Sequence, residues 1–367
     1  MIRTIIFPGR YVQGCGAIEE LGKELKKLGS RAFGVVDKLV LDQLLPAFRD
    51  NVEKELDTHW EEFGGESSQQ EIDRLVELAR ERDAEVVAGI GGGKTIDTAK
   101  AVAHAMKAPV AVVPTLASTD APCSALSVIY TAEGAVERYL FLPSNPQLVL
   151  VDTQIIADAP VRFLVAGMGD ALATWFEAEQ CRQSYAANMS GKPGAMTAYA
   201  LAELCYQTLL EDGVAAKSAC EVHAVTPALE RIVEANTLLS GIGFESGGLA
   251  ACHAVHNGLA TLKQTKGATH GDKVAIGVLT QLMLTGEPHE IIDQAYSFCE
   301  MVGLPTTLAE IGLEQVSDDD LMRVAERTAS EDDTAHNLAR PVTRRDVFAA
   351  LKAADAEGRR RKLVLAE

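Results

Sequence analysis

Four short runs in roughly the first 150 residues are apolar through their middles: RAFGVVD (31–37), AEVVAGI (84–90), PVAVVPT (109–115) and QLVLVD (147–152). Strands buried on both faces carry such runs, because neither side has to meet water, and this predicts a parallel sheet covered by helices. Between them the period lengthens. SSQQEIDRLVELARERD has helical spacing and opens with Ser67 or Ser68 three residues before Gln70 or Glu71, the start of a capping box. TIDTAKAVAHAM is a second helix, and ALSVIYTAEGAVERYLFLP (125–143) alternates around Glu133-Gly134 as a β-hairpin does. The N-terminal MIRTIIFPGRYVQG, with Pro8-Gly9 behind a short apolar run, reads as strand and turn rather than as a signal peptide.

From Pro160 onward the strand pattern stops. DALATWFEAEQ, AMTAYALAELCYQTLL, TPALERIVEANTLLSG and DVFAALKAADAEG are helical in spacing and rich in alanine and leucine. The expectation is an α/β domain over residues 1–158 and an all-helical domain over 159–367, joined near 153–162. A small-molecule site is expected in the cleft between them.

Charge and cysteine usage narrow the partners. The net charge is -18, from 34 basic and 52 acidic residues among 367, and such a surface repels phosphate backbones, so no nucleic acid is expected. The basic cluster Arg359 to Lys362 reads as the solvated end of a helix. Seven scattered cysteines without a C-x-x-C pair argue for reduced thiols in a cytoplasmic protein. No apolar run is long enough to span a bilayer, so no membrane partner is expected.

AGIGGGKTIDT (88–98) lies between a predicted strand and a predicted helix. Backbone N–H groups at such a turn can hold a pyrophosphate, and Gly91, Gly92 and Gly93 would let it approach. A tight turn without ligand is the alternative, but three consecutive glycines cost considerable backbone entropy, which favours the phosphate. The stretch completes neither common motif. Ala88 stands where a Walker A loop needs glycine, and Lys94 where G-x-G-x-x-G needs its last glycine. Asp37, at the end of RAFGVVD, can accept the adenine ribose hydroxyls and would repel a 2′-phosphate, favouring NAD over NADP. Taken alone it is more often a helix cap or turn residue. It also precedes the glycines, whereas in the usual fingerprint the acid follows them. An NTPase reading, with LVLVD (148–152) as the magnesium strand, ranks below the dinucleotide one.

Three of the eight histidines crowd one stretch: His253, His256 and His270. Two imidazoles and a carboxylate make a three-ligand metal site with an open position, as catalytic zinc or non-haem iron uses. Asp170, in AGMGDALATWFEAE, is the candidate carboxylate. Core-packed or capping histidines, and an acid of a helix's first turn, remain the alternatives.

Four motifs in order, GGGKTIDTAK, PTLASTDAPCSALSVIY, GMGDALATWFEA, and ESGGLAACHAVHNGL followed by THGDKVA, resemble the metal-dependent polyol branch of the iron-containing alcohol dehydrogenases. The resemblance runs over essentially the whole chain. It implies the dehydroquinate synthase-like fold: an α/β dinucleotide domain and an all-α metal domain. It implies NAD, one zinc ion per subunit, and oxidation of glycerol to dihydroxyacetone or of related vicinal diols, with hydride transfer to NAD. Carried over by position, Asp170, His253 and His270 match the zinc ligands, and His256 a nearby non-ligand histidine that is a candidate proton relay. Asp37, the segment Gly93, Lys94, Thr95 to Asp97, Thr115 to Ser118, Ser124, Leu126 and Tyr130 match the NAD site, and Asp120 a substrate contact. Iron-dependent members carry a histidine four residues after the aspartate, where this chain has Thr174. A large homo-oligomer is implied, an octamer being the size suggested. The competing readings are a glycerol-phosphate dehydrogenase or other dehydroquinate synthase-like enzyme, which would need basic residues for an anionic substrate, and an NAD-binding protein without activity.

Overall fold

The valine-rich runs become the interior of one parallel sheet. The structure, a computed structural model, describes residues 2–131 and 134–365. The sheet has six strands, β1 (Tyr11–Gly14), β2 (Arg31–Val36), β3 (Asp57–Glu62), β4 (Val86–Gly91), β5 (Val110–Pro114) and β8 (Leu148–Asp152), in the order β1-β8-β5-β4-β2-β3. Every pairing is parallel. All residues of β4, β5 and β8 are buried, which is why their sequences carry no alternation.

Two strands escape the hydrophobic pattern. β3, DTHWEE, is the sheet's edge and is half-buried; its charged residues suit an exposed edge and hide the strand from a search for apolar runs. At the N-terminus the strand forms after Pro8-Gly9 rather than before, because Gly9 N–H bonds the Pro146 carbonyl and leads Tyr11–Gly14 alongside β8. β6 (Leu126–Tyr130) and β7 (Val136–Phe141) form the expected antiparallel hairpin, with an irregularity at Ile129/Tyr130. Glu133, placed at its turn by the sequence, lies outside the described residues.

The strand order explains the odd position of the acid. The chain moves outward from β2 to β3, then crosses back to lay β4 on the other side of β2. The order therefore reverses between β2 and β4, which pair at Val36↔Ile90. Ligands of open α/β sheets bind beyond the carboxyl ends of the strands at such a reversal. Asp37 follows β2 and Gly92-Gly93 follows β4, so acid and glycines flank the switch point although the acid comes first in the chain.

The chain divides into two compact units, residues 6–164 with 218–241 and residues 1–5 with 165–217 and 242–367. The units therefore change at 5/6, 164/165, 217/218 and 241/242, where the sequence reading places a single boundary at 158/159. TPALERIVEANTLLSG is helical, as its spacing predicts, but its helix Pro227–Glu234 and the turns after it belong to the α/β unit. There Gln13 donates to the Glu230 carbonyl at 2.9 Å, Tyr11 bonds Thr237 at 2.7 Å, and Asn236 donates to the carbonyls of Ala117 and Leu164. No described helix is long and apolar enough to cross a membrane. Arg359 to Lys362 lie on the helix Arg344–Leu365, each facing a carboxylate: Asp355, Glu357, Glu300 and Glu310 in turn.

In the helical unit, three helices meet at glycines: Val161–Ser184, Ala251–Ala260 and His270–Thr285. A Cβ on Gly271 would overlap the Ala166 carbonyl of the first helix, and one on Gly277 the Cys252 carbonyl of the second. Gly169 meets the Gly271 carbonyl in the same way. Backbone therefore packs directly on backbone. Gly271→Ala is expected to lower stability by about 1–3 kcal/mol or more, because both clashing partners are main chain. Gly267→Ala, whose Cβ would meet nothing within 4 Å, is expected to stay within about 0.5 kcal/mol of the parent in urea denaturation.

Candidate functional site

The three close-packed helices each contribute one side chain to a single point. Asp170 comes from Val161–Ser184, His253 from Ala251–Ala260, and His270 is the first residue of His270–Thr285. One oxygen of Asp170 lies 3.0 Å from Nε2 of His270 and 3.3 Å from Nε2 of His253. One ligand atom from each lies within 4.8 Å of the others. Asp170 is 1% exposed and the His253 side chain 14%, but the His270 side chain is 36% exposed, so the group is open on the His270 side.

Local sequence sets each side chain. His270 is fixed by a capping box: Thr269 Oγ1 accepts from the Asp272 amide, and Asp272 accepts from the Thr269 amide. The pattern T-x-x-D was present in the sequence and signals this helix start. The helix Ala251–Ala260 has no capping side chain of its own. Two buried side chains from its neighbours satisfy its first N–H groups instead. Glu177 accepts from the amides of Ala250 and His253, and Gln281 from those of Ala251 and Cys252, at 2.8–3.1 Å. Glu177 also takes His253 Nδ1 at 2.5 Å. With its proton held there, the ring turns Nε2 to Asp170. Glu177 was missed from sequence; its signal was its place seven residues, two helical turns, after Asp170.

The electrostatics suit a cation. Burial would raise the Asp170 pKa, but the His270 and His253 rings outweigh it and hold the carboxyl well below its usual range. Burial would likewise depress His253, but Glu177 and Asp170 hold it well above its ordinary value. Two carboxylates around two imidazoles favour positive charge at this point. Two nitrogens and one carboxylate oxygen match a catalytic zinc set with one position left open. Thr174 adds no ligand: it is buried, and its methyl fills the space left by Gly243. His256 stands behind the group, its Nε2 at 3.0 Å from His270 Nδ1 and its Nδ1 at 3.2 Å from Asn257 Oδ1. Burial pushes its pKa well down. Both its nitrogens are engaged, so it contacts the Asp170–His253–His270 group only through His270.

In the α/β unit the turn after β4 and the end of β2 meet. A Cβ on Gly91 would lie 2.9 Å from the Asp37 Cβ and 2.9 Å from Thr95 Oγ1, so only glycine lets the three pack together. Gly92 and Gly93 have no such neighbours, with nearest atoms at 3.6 and 3.9 Å, and this leaves room above the first turn of Gly93–Met106. Gly92, its N-cap, brings no capping side chain. Thr115 follows β5 and donates its amide to the Gly91 carbonyl. Ser118 and Leu126 are half-buried, as is Tyr130.

Other predicted residues have internal partners. Lys94 is paired with Glu66 at 2.7 Å and lies over the Tyr130 ring, so the lysine of the half-matched Walker motif already has its carboxylate. Asp152, the acid of LVLVD, caps the helix Thr153–Asp158 and accepts from the amides of Gly16 and Ile18, which leaves the NTPase reading without its metal acid. Asp97 is buried, ion-paired with Lys100 at 3.0 Å, and accepts from the Val128 amide. The Lys100 ammonium also bonds the carbonyls of Ala121, Ser124 and Leu126 and the Ser124 hydroxyl. Asp97 and Ser124 thus shape the wall formed by residues 121–128. Asp120, at the start of that segment, accepts from the buried Ser240 hydroxyl at 2.9 Å.

Comparison with known proteins places the whole chain beside glycerol dehydrogenases. The family model described as iron-containing alcohol dehydrogenase matches residues 8–153. The chain is 63% identical over 362 residues to a glycerol dehydrogenase of Thermotoga maritima, covering 99% of each. It is 52% identical to a glycerol dehydrogenase of Escherichia coli O6:H1, covering 98% of each. A crystal structure of a probable glycerol dehydrogenase from Sinorhizobium meliloti superposes with a TM-score of 0.92 at 42% identity, over 98% of this chain and 99% of that one.

Glu177→Gln is expected to lower zinc affinity about 10- to 100-fold, the usual cost of losing a ligand's hydrogen-bond partner, measured by competition with a chromophoric chelator. Lys100→Met leaves the buried Asp97 without its cation and is expected to cost about 3–5 kcal/mol in chemical denaturation. Zinc affinity in that variant should not change.

Proposed function

The chain belongs to the iron-containing alcohol dehydrogenase family, and from that premise we propose that it oxidises glycerol to dihydroxyacetone with NAD as acceptor and zinc as the metal. Related vicinal diols are further substrates. The observation that carries the reading is the convergence of Asp170, His253 and His270, each from a different helix, on one point. The proposal extends to a cytoplasmic homo-oligomer.

Bound zinc would lower the pKa of a coordinated hydroxyl, as it lowers that of water from about 15.7 to about 7. The chain's own residues do the remaining work. Asp170, His253 and His270 hold the ion, and Glu177 keeps His253 turned to it. Gly92 and Gly93 admit the pyrophosphate to the start of the helix Gly93–Met106, and Asp37 accepts the ribose hydroxyls. Asp97 and Lys100 act on the cofactor indirectly, by fixing the segment that carries Ser124 and Leu126. Asp120 orients a hydroxyl of the polyol, with its carboxylate held by Ser240. Its negative charge opposes a phosphorylated substrate, which favours glycerol over glycerol phosphate.

The metal-stripped protein is expected to form no NADH from glycerol and to regain activity when zinc is returned. Full activity without metal would refute the reading. Asp170→Asn should lower turnover by more than about 100-fold, beyond the loss seen for outer-shell partners, while NAD still binds. Assaying glycerol beside glycerol phosphate tests the substrate assignment; preference for the phosphate would reverse it.

A further inference from the structure

We propose that Asp333 and Asn257 are positioning residues that fix the direction of the hydrogen bonds reaching His270, so that its proton sits on Nδ1 and Nε2 is free for the metal. The inference rests on the reading of Asp170, His253 and His270 as ligands. It follows from the fixed direction of one hydrogen-bond chain. Asp333 is a carboxylate whose side chain is 2% exposed, and a carboxylate only accepts. Asn257 Nδ2 lies 3.1 and 3.3 Å from its two oxygens, so the amide must present its NH2 group there. Oδ1 is then turned to His256 Nδ1 at 3.2 Å and can only accept, so that nitrogen carries the proton. His256 Nε2 is left bare and accepts from His270 Nδ1 at 3.0 Å. In the singly protonated ring the remaining nitrogen of His270, Nε2, is then the one without a proton, and it lies 3.0 Å from Asp170 Oδ1. A cation between those two atoms satisfies both.

Reversing any link puts a proton on the ligand nitrogen. The far end is therefore held firmly: Arg327 pairs with Asp333 at 2.9 Å, and the Thr334 amide donates to it at 2.8 Å. Glu177 does for His253 what Asp333 does for His270 across two intervening side chains. Neither Asn257 nor Asp333 stood out in the sequence, because an amide and an acid 76 residues apart carry no motif.

The test uses the full-length, metal-stripped protein and zinc ion, with affinity read by competition against a chromophoric chelator. Asp333→Asn keeps the shape and a capping oxygen but lets the Asn257 amide face either way. Its zinc affinity is expected to fall about 10-fold or more. The exchange Asn257→Asp with Asp333→Asn restores the direction, since residue 257 again only accepts from His256 and residue 333 now donates to it. Most of the lost affinity should return in this double variant. NAD binding and thermal unfolding without metal report that the fold is intact. An Asp333→Asn protein that binds zinc as tightly as the parent overturns the proposal. A folded double variant still about 10-fold weaker than the parent does so too, and decides alone should the single variant fail to fold. A parent that binds no zinc would instead remove the metal reading itself.

Discussion

Glu177, a carboxylate with no exposure to solvent, is the group on which the helical unit depends. Burying a carboxylate is costly unless donors surround it. Here they are the Ala250 amide, the His253 amide and the His253 ring. The same contacts start the helix Ala251–Ala260 and aim its first histidine. Gln281 completes the arrangement from the third helix, and its own amide donates to the Phe176 carbonyl. Such bonds can form only because Gly271 and Gly277 bring the helix backbones together. Packing, capping and ligand orientation are thus one constraint, and none of the three can be changed without the others.

The α/β unit brings its acid and its glycines together by topology. Its glycine turn does not satisfy a linear fingerprint because the reversal of strand order falls between β2 and β4. The acid and the glycines need only be neighbours at the carboxyl edge, and Gly91 packs directly on Asp37. A motif written as spacing along the chain encodes one strand order. When the order differs, the spacing changes and the spatial relation survives.

This accounts for what the sequence revealed and what it withheld. The interior strands, the hairpin and the helices were legible because burial imposes a period on residues such as Val86 to Ile90. β3 was not, because an edge strand is half-wet and DTHWEE has no apolar face to display. The helix Pro227–Glu234 was legible as a helix but not as part of the α/β unit, since its attachment runs through single polar contacts of Gln13, Tyr11 and Asn236. In the site, Asp170, His253 and His270 were candidates because ligand chemistry restricts residue type, and the family resemblance singled them out; the structure brings the three together. Glu177, Asn257 and Asp333 were not, since supporting groups are chosen by geometry, and many side chains can accept a hydrogen bond.

The two buried clusters of charge show how a structural ion pair differs from a functional one. Asp97 and Lys100 are adjacent on one helix and balance each other, and the ammonium finds further oxygens in the segment it anchors. Nothing more is needed there, and both side chains are sealed from solvent. Around Asp170 the count is uneven: two carboxylates, Asp170 and Glu177, face imidazoles whose charge depends on proton uptake. Burying charge without a fixed partner is destabilising unless a cation is supplied from outside. The opening on the His270 side gives one a route in. A closed, balanced pair serves the fold, while an open, unbalanced one would be stabilised by a cation, which is the physical reason this cluster is a candidate site.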